Sequence, residues 1–210
     1  MSIMLDIIGS MIIRGSIVLM TLYLSISLQN ALYKKTMVAV VKQKTVVPAQ
    51  VLTDDIRLAG YGPTGTTKIF ATATSQDMMF TADIDDDGAT ETVRYYLSAA
   101  YTGSTHKSLL REVSSISGGA AYELARDVDS LYFTYYNVNG TSVSGVNVAG
   151  IKSVKVSLVM ASAAKLADEI TAAPRASGLY TGKHTVDTTS LYTTEYVKAY
   201  WERTLFPQNL

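Results

Sequence analysis

The sequence predicts an α+β fold, a long N-terminal α-helix packed on an antiparallel β-sheet head. Three observations predict it. The first 60 residues are dominated by apolar side chains, and no residue from Gly15 to Tyr33 is charged. From Lys68 onward the apolar pattern changes to a period of two, the signature of half-buried strands. Turn dipeptides, Asp87-Gly88 and Asn139-Gly140, then stand between strand-like runs, where residues tolerating positive φ are needed.

The helix comes first. Its charge-free run matches the roughly 20 residues that a membrane-spanning helix needs. Upstream, from Ile3, the only charges are Asp6 and Arg14. A cleaved signal peptide is the competing reading. The start, Met1 to Asp6, offers no basic residue, and the apolar run outlasts a normal signal core. Lys34, Lys35, Lys42 and Lys44 follow, a cluster that the positive-inside rule would hold on the cytoplasmic side, against the exported character of the head. Between Ala31 and Gln43 the apolar Leu32, Met37, Val40 and Val41 lie among lysines in a rough amphipathic pattern. Pro48 is expected to kink or interrupt the helix, because it lacks an amide donor. Val51 to Ala59 resumes it, and Gly60, Gly62 and Pro63 stop it. The expected division is therefore a helical segment over 1–60 and a β-rich head over 61–210.

In the head, Glu91 to Ala99 sets Val93, Tyr95, Leu97 and Ala99 against Thr92, Arg94, Tyr96 and Ser98. Ser130 to Val138 alternates Leu131, Phe133 and Tyr135 with Tyr132, Thr134 and Tyr136. Ile151 to Met160 alternates Val154, Val156, Leu158 and Met160 with Ser153, Lys155 and Ser157. Leu109 to Val113 and Tyr196 to Trp201 are further strands, and Ser117-Gly118-Gly119 is a loop. Ala161 to Ser190 is small and polar, a surface loop or a lattice contact.

Composition narrows the function. Eighteen basic residues balance eighteen acidic ones, so no basic excess exists to hold a phosphate backbone, and no nucleic-acid partner is expected. The absence of cysteine excludes disulfides, thiolate metal sites and iron–sulfur clusters. His106 and His184 are the only histidines and read as loop residues; neither sits in a triad-like or zinc-ligand context. No Gly-rich phosphate loop occurs. No enzymatic role is read from the chain. The tyrosines read as sheet packing.

Asp6 and Arg14 are the exceptions in the apolar run. On insertion scales a charge at the centre of a membrane helix costs about 2.5–3.5 kcal/mol. Either they pair, with each other or with a neighbouring chain, or Asp6 lies at the interface and Arg14 snorkels. The run Asp83, Asp85, Asp87, Gly88 matches the first half of a calcium loop. The twelfth position, where a bidentate glutamate belongs, is Arg94, which excludes a full EF-hand; Glu91 is the nearest acid behind. Two readings stay open, a looser Ca2+ site on Asp83, Asp85, Asp87 and Glu91, and a solvated acidic turn without a cofactor.

Particular segments carry a family resemblance. They are Thr53 to Tyr61 (TDDIRLAGY), Asp83 to Tyr95 (DIDDDGATETVRY), Val128 to Tyr135 with Ile151 to Val156, and the tail Arg203 to Leu210. In these the chain resembles type IV pilin-like proteins, in particular PilW-like minor pilins and the pseudopilins of type II secretion. The N-terminus departs from the family's basic leader, but removal of Met1 would make Ser2 first and place Asp6 fifth, where the family has a glutamate. The resemblance implies a structural subunit of an extracellular, cell-surface filament. Its helices would sit in the inner membrane before assembly and pack into a central core afterwards. It also implies that Asp6 offsets a neighbour's N-terminal amine. The implied partners are further copies of the chain, other pilins and the assembly machinery. The alternatives are a minor or tip pilin, a secretion pseudopilin, and a monomeric membrane-anchored binding module.

Overall fold

The computed structural model describes residues 2–62, 69–100, 106–114, 119–163 and 196–208. Pro63, Lys68, Ser117-Gly118, His184, Asn209-Leu210 and nearly all of the 161–190 tract lie outside the described residues. The chain forms two compact units, 1–39 and 40–210. Helix α1, Ser2–Leu58, supplies all the described structure of the first and the opening turns of the second.

Within the second unit, α1 buries a stripe of Val41, Thr45, Pro48, Ala49, Leu52, Thr53 and Ile56. These recur at spacings of three and four, so they share one helix face, and that face packs on the sheet. Of the two outcomes expected at Pro48, a kink or an interruption, the interruption does not occur: α1 runs on to Leu58. An interior proline costs about 3 kcal/mol locally. Here the burial of residues on both sides of it holds the turns together, because tertiary packing supplies most helical stability in proteins. Thr45 and Thr53 return their hydroxyls to the carbonyls of Val41 (2.8 Å) and Ala49 (2.7 Å), so the buried stripe leaves neither unsatisfied.

The helix ends where the glycines predict. Gly60 adopts φ 81° and Gly62 φ 104°, both in the region that favours glycine. The Gly60 amide donates to the Thr81 carbonyl and the Asp83 amide to the Tyr61 carbonyl, each at 2.9 Å. The helix terminus is thereby fastened directly to the sheet.

The strands are β1 (Phe70–Ala73), β2 (Asp77–Ala82), β3 (Glu91–Leu97), β4 (Lys107–Val113), β5 (Ala121–Asn137), β6 (Ser142–Val143), β7 (Gly145–Val148), β8 (Ile151–Ala161) and β9 (Lys198–Leu205). They form one antiparallel sheet in the order β7-β1-β2-β3-β4-β5-β8-β9, with β6 beside β5. The inward faces are those the alternation predicts. Val93 and Tyr95 of β3, Leu131, Phe133 and Tyr135 of β5, and Val154, Val156, Leu158 and Met160 of β8 are all buried. β1, β2, β6 and β7 were not read from the sequence. β2 carries the same signal, with Met78, Phe80 and Ala82 buried in alternation. β7 is four residues long and exists only through its pairing with β1. β5 breaks register near Asp127, which has φ 61°, and that break lets one strand pair with β4 along its first half and β8 along its second. Lys44 of α1 reaches Asp127 there at 3.0 Å.

Candidate functional site

Three places carry the residues of interest. The first is the helical unit, residues 1–39. Many of its large described side chains, among them Ile8, Met11, Ile13, Leu19, Leu24 and Leu28, are more than half exposed. They point in every direction around the helix. A helix apolar all round is suited to lipid or to other helices, not to water. Some of its hydroxyls bond back to the helix: Ser16 donates to the Ile13 carbonyl (2.8 Å), Thr21 to Ile17 (2.9 Å) and Thr36 to Leu32 (3.0 Å). Asp6 and Arg14 are exposed on this helix, and no ion pair joins them among the described residues. Eight residues at 1.5 Å each separate them by about 12 Å along the axis, too far for a pair within one chain.

The second place is the β2–β3 turn. It brings together Asp83, Asp85 and Glu91, one carboxylate oxygen of each lying within 4.8 Å of those of the other two. Asp87 is not in this group. Its carboxylate instead accepts from the Ala89 amide at 2.8 Å, which shapes the turn. Asp83 and Glu91 are almost fully buried, and Asp85 is exposed. Partial desolvation in the turn, followed by the charges of Asp87 and Glu91, raises the Asp85 carboxyl above its ordinary value. Gly88 of the predicted Asp87-Gly88 turn adopts φ 87°, whereas the aspartate with positive φ, 59°, is Asp86 and not Asp87.

The third place went unread in the sequence. Asp55 of α1 and Arg111 of β4 form a buried ion pair, Arg111 Nε donating to Asp55 Oδ2 at 2.6 Å. The Tyr95 hydroxyl donates to the same oxygen, and Arg111 also donates to the hydroxyls of Tyr95 (3.0 Å) and Tyr122. A signal was available: Asp55 lies on the apolar stripe with Leu52 and Ile56, and Arg111 alternates inward with Leu109 and Val113. Two inward charges of opposite sign call for each other. Burial lowers the Arg111 pKa, but the hydrogen bond to Asp55 and the charges of Tyr95, Asp55 and Tyr122 together outweigh it, and the guanidinium stays charged. Burial, and then the Asp55 charge, push the Tyr95 hydroxyl well above the usual tyrosine value; burial does the same at Tyr135.

The raised tyrosines give a pH prediction. Both protonate the folded chain more firmly than the unfolded one, whose tyrosines titrate near 10.0. Their contribution to stability is therefore complete below that value and falls as pH rises above it. Each tyrosine is expected to remove about 1.4 kcal/mol per pH unit. Urea midpoints measured between pH 8 and 11 check this, and a flat profile above pH 10 would contradict it.

His106 is buried just before β4, its ring 4.4 Å from that of Tyr196. Tyr95 and Tyr135 lie in the core, whereas Tyr132 is half exposed.

No family model matches the sequence, and no curated protein matches it. Among solved structures the chain is similar to a type IV-like pilin from Thermus thermophilus, at 13% identity and a TM-score of 0.49, over 80% of this chain and 97% of that one.

Proposed function

We propose that this chain is a structural subunit of a pilus-like helical filament at the cell surface. In this reading residues of α1 hold it in the inner membrane first and join it to further copies afterwards. The observation that supports this most is the exposed apolar surface of the first unit, charge-free from Gly15 to Tyr33. Such a surface is stable in lipid. It is equally stable against copies of itself, where each Å2 removed from water contributes about 25 cal/mol. Copies displaced along an axis meet through different faces, and open contacts of that kind build filaments and not closed rings. The resemblance of Thr53 to Tyr61 and of Asp83 to Tyr95 to pilin-like segments points the same way. Other pilins and the assembly machinery are the further partners of this reading. A chain with no excess of positive charge is not assigned a nucleic-acid partner, and the role assigned is structural, not catalytic.

Electron microscopy of material sheared from cells, with mass spectrometry of the recovered subunit, tests the proposal. Filaments containing this chain are expected, and the N-terminal mass shows whether Ser2 is the first residue. Recovery of the chain only as an embedded membrane protein, with no filament containing it, would replace the filament with a plain anchored module.

A further inference from the structure

The β2–β3 turn carries more than a cluster of acids. Asp83 and Glu91 each use one oxygen to lock the turn and leave the other without a partner. Asp83 Oδ2 accepts from the Gly88 amide (3.1 Å) and Glu91 Oε2 from the Ile84 amide (2.8 Å). Asp83 Oδ1 and Glu91 Oε1 are buried and accept no hydrogen bond. The two residues are 4% and 1% exposed, so water does not solvate these oxygens in the usual way. Burying unpartnered carboxylate oxygens is among the most unfavourable arrangements in a protein interior. No lysine, arginine or histidine occurs between Asp83 and Glu91. Among the described residues none of Asp83, Asp85 or Glu91 forms an ion pair.

We infer that Asp83, Asp85 and Glu91 bind a single Ca2+ ion, which ties the end of α1 to the β2–β3 turn. The spacing suits that ion. Calcium–oxygen distances are about 2.3–2.6 Å, so oxygens up to about 4.8 Å apart can share one calcium on opposite sides. Magnesium, with bonds of about 2.0–2.1 Å in a strict octahedron, fits such a spread less well. Three carboxylates are hard oxygen ligands, and the exposed side at Asp85 leaves room for water to complete the shell. Glu91 thus replaces the missing twelfth-position glutamate, supplied here from the first residue of β3.

The site is built into the helix-to-sheet junction. The Asp83 amide donates to the Tyr61 carbonyl, and the Tyr61 hydroxyl donates to Asp86 Oδ1 at 3.1 Å. Gly62 packs so closely that a Cβ there would stand 2.8 Å from Asp83 Cβ. An ion held by Asp83 therefore stiffens the segment that leaves α1. The inference uses only the head and stands whether or not the chain forms filaments.

The test uses the full chain in detergent micelles, stripped with EDTA and titrated with CaCl2, while thermal unfolding is followed. A saturable rise in Tm is expected, with one ion per chain by calorimetry. Tb3+ should give tyrosine-sensitised luminescence through Tyr61, displaced by Ca2+. Asp85→Asn removes an exposed ligand, so it should fold normally and bind Ca2+ at least about tenfold more weakly, since ligand charge sets calcium affinity. Glu91→Gln should abolish the response. Absence of any Ca2+ effect on Tm together with no displaceable Tb3+ signal would overturn the inference. So would an Asp85→Asn variant that responds like the parent, or an equal response to Mg2+ at the same concentration.

Discussion

Asp55→Ala is expected to destabilise the sheet unit by about 3–5 kcal/mol, the usual consequence of removing one partner of a buried ion pair. Arg111 is only 8% exposed, and its guanidinium would lose the carboxylate that justifies its burial. Tyr95 would lose its acceptor in the same step. The substitution also cuts the link between α1 and the centre of the sheet. Trp201, the single tryptophan, lies on β9 opposite Leu158, so its fluorescence reports unfolding of the sheet in urea. The penalty arises mostly from the orphaned charge. The double variant Asp55→Leu with Arg111→Leu should therefore be more stable than Asp55→Ala alone, because it removes both charges. A loss below about 1 kcal/mol for Asp55→Ala would be the size of a solvent-exposed pair, and the pair would then not hold helix to sheet.

Asp6→Ala is expected to abolish filament assembly while leaving urea unfolding of the head unchanged. From Ile3 to Tyr33 the chain carries one negative and one positive side chain, Asp6 and Arg14. Within one helix they do not meet. In an array of axially displaced copies, Asp6 can face a neighbour's N-terminal amine or its Arg14. A charge left unmatched in an apolar core is disfavoured by about 2.5–3.5 kcal/mol on insertion scales, and the defect repeats at each subunit. Asp6→Glu keeps the charge and should retain assembly. Sheared material from cells expressing each variant, viewed by electron microscopy, distinguishes these outcomes. Normal filaments from Asp6→Ala would remove Asp6 from any role in setting register.

What the sequence by itself determined is what local periodicity encodes. The charge-free run marks a helix of membrane-spanning length, because no residue from Gly15 to Tyr33 is charged. Alternation places Val93, Tyr95, Phe133 and Val156 inward, because successive residues of a strand face opposite sides. Asp87-Gly88 and Asn139-Gly140 mark reversals, because few other residues tolerate the φ they need; Gly140 stands at 74°. Contacts between residues distant in sequence were decided only by the tertiary structure. Asp55 and Arg111 are 56 positions apart, and no local pattern states that they touch. Tertiary packing overrode the helix-breaking tendency of Pro48. β7 is a strand because β1 presents an edge to it. The acidic run with Glu91 was legible as a loose cation loop, but the departure of Asp87 from it was not. The fold turned Asp87 to a backbone amide and kept Glu91, because a hairpin sets the first residue of β3 beside the end of β2, where Ala82 pairs with Glu91.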